Sequence, residues 1–190
     1  PCNASVVITD VNTGDVLAMV SYPGYDNNKM ANTVDAEYYA RLNADKSSPQ
    51  LNFATQYKAA PGSTFKIVSA TAGLMENVIN LQTKVNCVGT FTEITPSPRC
   101  WKISGHGYEN VTSAIKDSCN YFFYNVGYQL ATSSGSYNEE AGLETLSKYA
   151  DLYGLTDKSG VEIGEYAPDV STKDPVRSAI GQGSNSYTTV

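Results

Sequence analysis

Four residues of this 190-residue chain have the types and spacing that acyl transfer needs: Ser63, Lys66, Ser118 and Asn120. Ser63-Thr64-Phe65-Lys66 follows Pro61-Gly62, which suits the start of a helix. Residues three apart lie on one helix face, so the hydroxyl and the ammonium can meet. Serine is a poor nucleophile until a base takes its proton. A desolvated lysine can be that base, because burial disfavours its charged form. Phe65 and Ile67-Val68 supply apolar surroundings. The helix N-terminus adds a positive field that favours negative charge on the serine oxygen. Alone, Ser-x-x-Lys also describes a helix with a capping serine and a solvated lysine.

Ser118-Cys119-Asn120 supplies a hydroxyl able to relay a proton and an amide able to hold a substrate carbonyl. Ser and Asn also favour caps and turns, so the tripeptide alone suits a break between helices. Together with Ser63 and Lys66 it completes a serine–lysine variant of the catalytic triad.

A second constellation is Cys87, Cys100, His106 and Cys119, separated by 12, 5 and 12 residues. Three thiols and an imidazole are the Cys₃His set of a tetrahedral structural zinc. Three of the ligands lie within an irregular stretch, 80–110, that lacks regular structure to hold it, and Cys119 lies inside the Ser118/Asn120 tripeptide. A Cys87–Cys100 disulfide and buried free thiols are the other readings of these cysteines. Cys2, near the terminus, stands apart.

These groups need positioning elements. Val6-Val7-Ile8 and Val16-Leu17-Ala18-Met19-Val20, joined through Asn12-Thr13-Gly14-Asp15, predict a hairpin over 4–22. Its apolar runs are continuous, which predicts burial on both faces. A short helix is expected from Asp35, its cap, to about Asp45. From Pro61-Gly62-Ser63 to about Asn77, Ile67, Val68, Ala70, Thr71, Leu74 and Met75 recur at helical spacing. Small residues in its middle predict a central, buried helix. Residues 111–118, 121–132 and 140–153 read as further helices, the last stopped by Gly154. A short helix is expected from about Val176.

Hydrophobic residues make up 41% and charged residues 17% of the chain, which fits a globular core. The net charge of −6 argues against a nucleic-acid face. No apolar stretch is long enough to span a bilayer. Pro1 stands where an initiator Met would, which reads as a fragment boundary with any membrane anchor upstream.

Several stretches, in order, resemble the penicillin-binding protein transpeptidases: ASVVITDVNTGDVLAMVSYP at 4–23, LNFATQYKAAPGSTFK at 51–66, GHG at 105–107, SCNYFFY at 118–124 and AIGQG at 179–183. The mix is most similar to the class B, elongation-type enzymes, and a run of motifs is far more specific than any one. The resemblance implies an α+β penicillin-binding/β-lactamase-like fold, with a helical region packed on an antiparallel sheet. It implies a serine D,D-transpeptidase that cross-links peptidoglycan stem peptides and is acylated by β-lactams. Ser63 is then the nucleophile, Lys66 the base, Ser118 the proton relay and Asn120 the substrate clamp. No catalytic cofactor is implied, and a structural zinc would be the one metal. The expected setting is the extracytoplasmic face of a bacterial membrane, beside cell-wall elongation proteins. A β-lactamase, a β-lactam sensor and a non-catalytic scaffold remain alternatives.

Two departures stand out. Phe53 occupies a position where relatives commonly carry Arg, and the Lys-Thr/Ser-Gly motif is absent. That motif's strand would carry a carboxylate contact and one oxyanion N–H. The expectation is therefore one incomplete transpeptidase domain over 1–190: the hairpin at 4–22, a mainly helical region at 35–160, and a return toward missing sheet strands at 161–190.

Overall fold

The computed structural model describes residues 2–190, which separate into two compact units. The first contains the residues up to Ala59, Lys158–Ala167 and Tyr187–Val190; the second contains Ala60–Asp157 and Pro168–Ser186.

The first unit is built on the expected hairpin. Strand β1 (Ala4–Thr9) pairs antiparallel with β2 (Val16–Tyr22), with Ala4 opposite Tyr22 and Val7 opposite Met19. Its turn is an Asx arrangement: Asp10 Oδ1 accepts the Asn12 N–H at 2.7 Å, and Gly14 N–H returns to Asp10 O at 2.8 Å. Burial on both faces, the sequence expectation, is not found. Val6, Ile8, Leu17 and Val20 are all more than half exposed. A hairpin of two strands has too few same-face neighbours to cover its apolar side chains. Helix α1 (Ala36–Ala44) follows, and Asp35 Oδ1 caps it by accepting the Tyr38 N–H at 3.0 Å. The later segments return to this unit through main-chain bonds, Tyr166 N–H to Thr55 O at 2.9 Å and Ala59 with Tyr187.

The second unit is helical. A 3₁₀ turn (Gly62–Phe65) leads into α2 (Lys66–Met75). Two short strands, β3 (Val85–Cys87) and β4 (Gly107–Glu109), precede α3 (Val111–Lys116), α4 (Asn120–Thr132), α5 (Glu139–Leu152) and the single turn α6 (Pro175–Ser178). The core lies among α2, α4, α5 and α6. Phe122, Val126 and Leu130 recur every four residues along α4 and are fully buried, and α4 packs against α2, α5 and α6, whose Val68, Ala72, Leu146, Ala150 and Val176 are buried too. Small residues permit this: a Cβ on Gly73 would come within 3.0 Å of Ile79 and Val126.

Helix α2 is central as expected, although Ile67 and Met75, counted on its apolar stripe, face outward. The stripe is narrower than spacing suggested because α2 starts as a 3₁₀ turn, which shifts the helical phase. The β3–β4 pair was not foreseen. Three residues per strand are too short for a periodic signal, and Cys87 opposite Gly107 is the whole ladder's end.

Candidate active site

The turn that carries Ser63 is set by backbone geometry. Gly62 has φ +59°, and its N–H donates to Gly181 O at 3.0 Å. Gly181 must itself lack a side chain, since a Cβ there would lie 2.1 Å from Gly62 O. Ser69 Oγ donates to Ala179 O at 2.7 Å, so the segment after α6 braces the first turns of α2 at two points. Ser63 thus stands at a helix N-terminus, where unpaired N–H groups and the dipole favour an oxyanion.

The second edge comes from the α3–α4 junction. Helix α3 starts with a capping box between Asn110 and Ser113. It ends in a Schellman motif: Ser118 N–H donates to Ile115 O at 3.2 Å and Cys119 N–H to Ala114 O at 2.9 Å. Ser118 occupies the left-handed position, φ +51°, that glycine usually fills. Cys119 then caps α4, its Sγ accepting the Phe122 N–H at 3.5 Å. One sharp corner therefore presents Ser118 and Asn120 on the same side.

Lys66 joins the two edges. Its Nζ donates to Asn120 Oδ1 at 2.7 Å, Ser118 O at 2.8 Å and Ser118 Oγ at 3.0 Å. Ser118 Oγ in turn donates to Ser63 Oγ at 2.9 Å. The structure thus brings all four predicted residues together, with one change from expectation. Lys66 is joined to Ser63 through the Ser118 hydroxyl, which comes from 55 residues further along the chain. Lys66 is 2% exposed and lies over the Phe123 ring at 5.6 Å. Burial brings its pKa down from 10.5 to about 8, against the opposing pull of negative charge at Cys100 and Cys119.

Directly behind this edge lies the predicted cysteine–histidine cluster. Strand β3 delivers Cys87 beside the loop carrying His106, and the ligand atoms of Cys87, Cys100, His106 and Cys119 all lie within 4.8 Å of one another. His106 Nδ1 is 3.5 Å from Cys87 Sγ and 3.6 Å from Cys100 Sγ. For tetrahedral zinc with bonds of about 2.3 Å to sulfur and 2.0–2.1 Å to nitrogen, adjacent S and N ligands should stand about 3.6 Å apart. The donor set fits in type, number and spacing. All four cysteines are free thiols, so the Cys87–Cys100 disulfide reading finds no support. Burial opposes a Cys100 thiolate, yet backbone N–H groups of Tyr121, Lys102 and Asn120 outweigh it and lower that thiol's pKa. Gly105 (φ +80°) lets the two strands close, since a Cβ there would meet Cys87 O at 2.0 Å.

Comparison with known proteins identifies the family. The family model described as "Penicillin binding protein transpeptidase domain" matches residues 4–190. The chain belongs to the penicillin-binding protein transpeptidase family. It is 34% identical over 165 residues to the peptidoglycan D,D-transpeptidase MrdA of Escherichia coli K12, covering 85% of this chain and 24% of that protein. The MrdA of Haemophilus influenzae is also 34% identical, over 90% of this chain and 25% of that protein. Among solved structures, penicillin-binding protein PBP2 of Helicobacter pylori superposes with a TM-score of 0.86 at 26% identity, over 97% of this chain and 36% of that one. Pseudomonas aeruginosa PBP2 in complex with WCK 5153 gives 0.84 at 26% identity, over 98% and 44%. The chain spans about a quarter of the length of the curated relatives it matches. The fold is the α+β fold of penicillin-binding proteins.

Within this transpeptidase domain, sequence reasoning missed two residues of the site. Gly181 stands in the sequence only as part of the AIGQG stretch, and its pairing with the turn that carries Ser63 shows only in space. Trp101, the single tryptophan, lay in the irregular stretch without an assigned part. Its indole N–H reaches the carbonyls of Asp117 and Ser118.

Proposed function

We propose that this domain is the acyl-transfer centre of a D,D-transpeptidase acting on peptidoglycan stem peptides that end in D-Ala-D-Ala. The observation that carries the reading is the unbroken line from Lys66 Nζ through Ser118 Oγ to Ser63 Oγ. With Lys66 charged, the donors in that line point toward Ser63. Hydroxyls rotate, so with Lys66 neutral the line reverses: Ser63 donates to Ser118, and Ser118 donates to the amine.

In that reversed state Ser63 Oγ attacks the carbonyl carbon of the penultimate D-Ala. The Oγ–C bond forms and the C–N bond to the terminal D-Ala breaks. The proton lost by Ser63 passes to Lys66 and then, through Ser118, to the leaving amine. An amine of a neighbouring stem peptide next attacks the ester; its C–N bond forms, the Oγ–C bond breaks, and its proton returns to Ser63. The Ser63 N–H at the helix start supports the oxyanion. Asn120, while accepting from Lys66, holds the peptide amide. A β-lactam enters the same way, but its leaving nitrogen stays tethered and blocks the second amine. The setting is the outer face of a bacterial cytoplasmic membrane, alongside cell-wall elongation proteins. Among the described residues no helix is long and apolar enough to cross a membrane.

Cys87, Cys100, His106 and Cys119 would hold a zinc ion that is structural: it pins a loop-rich segment and the Ser118–Asn120 corner. When bound it supplies no step of the reaction. Catalysis is left to Ser63, Lys66, Ser118 and Asn120.

The test is intact mass after incubation of the intact protein with benzylpenicillin, with Ser63→Ala as control. A lasting one-to-one adduct that requires Ser63 supports the reading. An adduct that forms and vanishes within minutes indicates a β-lactamase instead. No adduct at all leaves a non-catalytic domain as the better account.

A further inference from the structure

We infer that Trp101 is a positioning residue for acylation: its indole N–H holds the Ser118 carbonyl that also binds the Lys66 ammonium, and its ring rests on His106. This rests on the acyl-transfer reading above.

Ser118 adopts a left-handed backbone, φ +51°, which an L-residue holds only when its surroundings over-determine it. Its N–H is committed to Ile115 O. Its carbonyl is held by two donors from different elements, Lys66 Nζ at 2.8 Å and Trp101 Nε1 at 3.1 Å. Trp101 Nε1 also reaches Asp117 O at 3.2 Å, so it bridges both carbonyls of the corner. A carbonyl has two lone-pair directions, and these donors use them together. With Trp101 in place, the Ser118 peptide plane cannot rotate to follow Lys66 alone, and Ser118 Oγ stays 2.9 Å from Ser63 Oγ.

The other side of the indole explains its own placement. Trp101 meets His106 edge-to-face, ring centres 5.1 Å apart. It also follows Cys100 directly in sequence. Trp101 is 62% exposed, so burial of apolar surface does not account for where it sits. The two carbonyl contacts and the His106 contact do. Trp101 therefore links the cysteine–histidine cluster to the catalytic corner through two separate contacts.

The indole touches no reacting atom, so its loss should slow the chemical step rather than weaken substrate binding. The loss of one neutral hydrogen bond should lower the acylation rate constant at saturating penicillin about two- to twelve-fold. The concentration giving half-maximal rate should be unchanged.

The experiment measures both constants in the intact protein for wild type, Trp101→Phe, and a protein carrying benzothienylalanine at position 101. The benzothienyl ring keeps the indole's shape and its His106 contact but has no N–H. The expected result is the same loss of maximal rate in both variants, with a full one-to-one adduct and an unchanged half-saturation concentration. Four outcomes overturn the inference. Unchanged rates would mean the N–H positions nothing. A raised half-saturation concentration with unchanged maximal rate would make Trp101 a substrate contact. A normal rate in the benzothienyl protein but not in Trp101→Phe would assign the effect to ring packing. A reduced adduct fraction at normal rate would make the role one of folding. If wild type itself forms no adduct, the acyl-transfer reading fails, and that is distinguishable from each of these.

Discussion

Replacing Ser118 by Gly and by Ala separates what its backbone costs from what its hydroxyl does. Ser118 fills the left-handed position of a Schellman motif, with both of that motif's hydrogen bonds present. A non-glycine residue there costs about 1–2 kcal/mol. Glycine avoids that cost but loses more backbone freedom on folding, by about 0.5–1 kcal/mol. Neither substitute has a hydroxyl, so the comparison cancels the lost contacts to Lys66 and Ser63. Ser118→Gly should therefore be more stable than Ser118→Ala by about 0.5–1 kcal/mol. For a domain of this size that is a melting-temperature difference of about 1–4 °C. Both variants interrupt the line from Lys66 to Ser63. General acid–base relays contribute about 10²–10⁴-fold, so acylation by penicillin should fall at least about 100-fold in each. Calorimetry and the rate of adduct formation give the two readouts. An alanine variant as stable as the glycine one would show that the position carries no strain. Near-normal acylation in either would remove Ser118 from the proton path.

Three further outcomes follow from the same geometry. With the Lys66 pKa brought down to about 8, its neutral, base-competent form should be about a tenth of the total at pH 7. Acylation should then rise about ten-fold per pH unit below that value and level off above it, and a profile flat from pH 6 to 9 would refute Lys66 as the base. Purified protein should carry close to one zinc per chain. Chelation or Cys100→Ser should lower the melting temperature, and a stoichiometry near zero without chelators would sink the metal assignment. Phe122 is fully buried among the α2, α4 and α5 helices, so Phe122→Ala should cost about 3–5 kcal/mol. Denaturant unfolding checks this, and a loss under 1 kcal/mol would mean the α4 face is not the core.

What could be read from the sequence was whatever has a local cause. Asp35 and Gly154 mark helix ends because caps and stops act within a turn, and both fall where expected. Ser63 and Lys66 were legible as a pair because one helix fixes their spacing. The clustering of Cys87, Cys100, His106 and Cys119 was legible only as composition, since ligand types can be counted but their convergence needs β3 and β4, which are too short to announce themselves. Burial of the hairpin was misjudged for the opposite reason. Continuous apolar runs say what a strand would accept as neighbours, and they say nothing about which neighbours it has.

The long-range contacts explain why the site reads as four separate clues. Ser63 and Ser118 meet across 55 residues, and Lys66 reaches Asn120 across 54. Both distances close only because α2 and α4 pack face to face through small residues and fully buried aromatics. A change in that packing would move the relay without touching any of its members. Gly73→Val illustrates the point: its first added carbon already meets the Ile79 and Val126 side chains at 3.0 Å, so those side chains must give way before its two methyl groups are placed. Overpacking of this kind costs about 1–3 kcal/mol. It should also slow acylation although none of the four site residues is replaced. Normal acylation in a destabilised Gly73→Val protein would show that the corner holds its geometry without help from the α2–α4 interface.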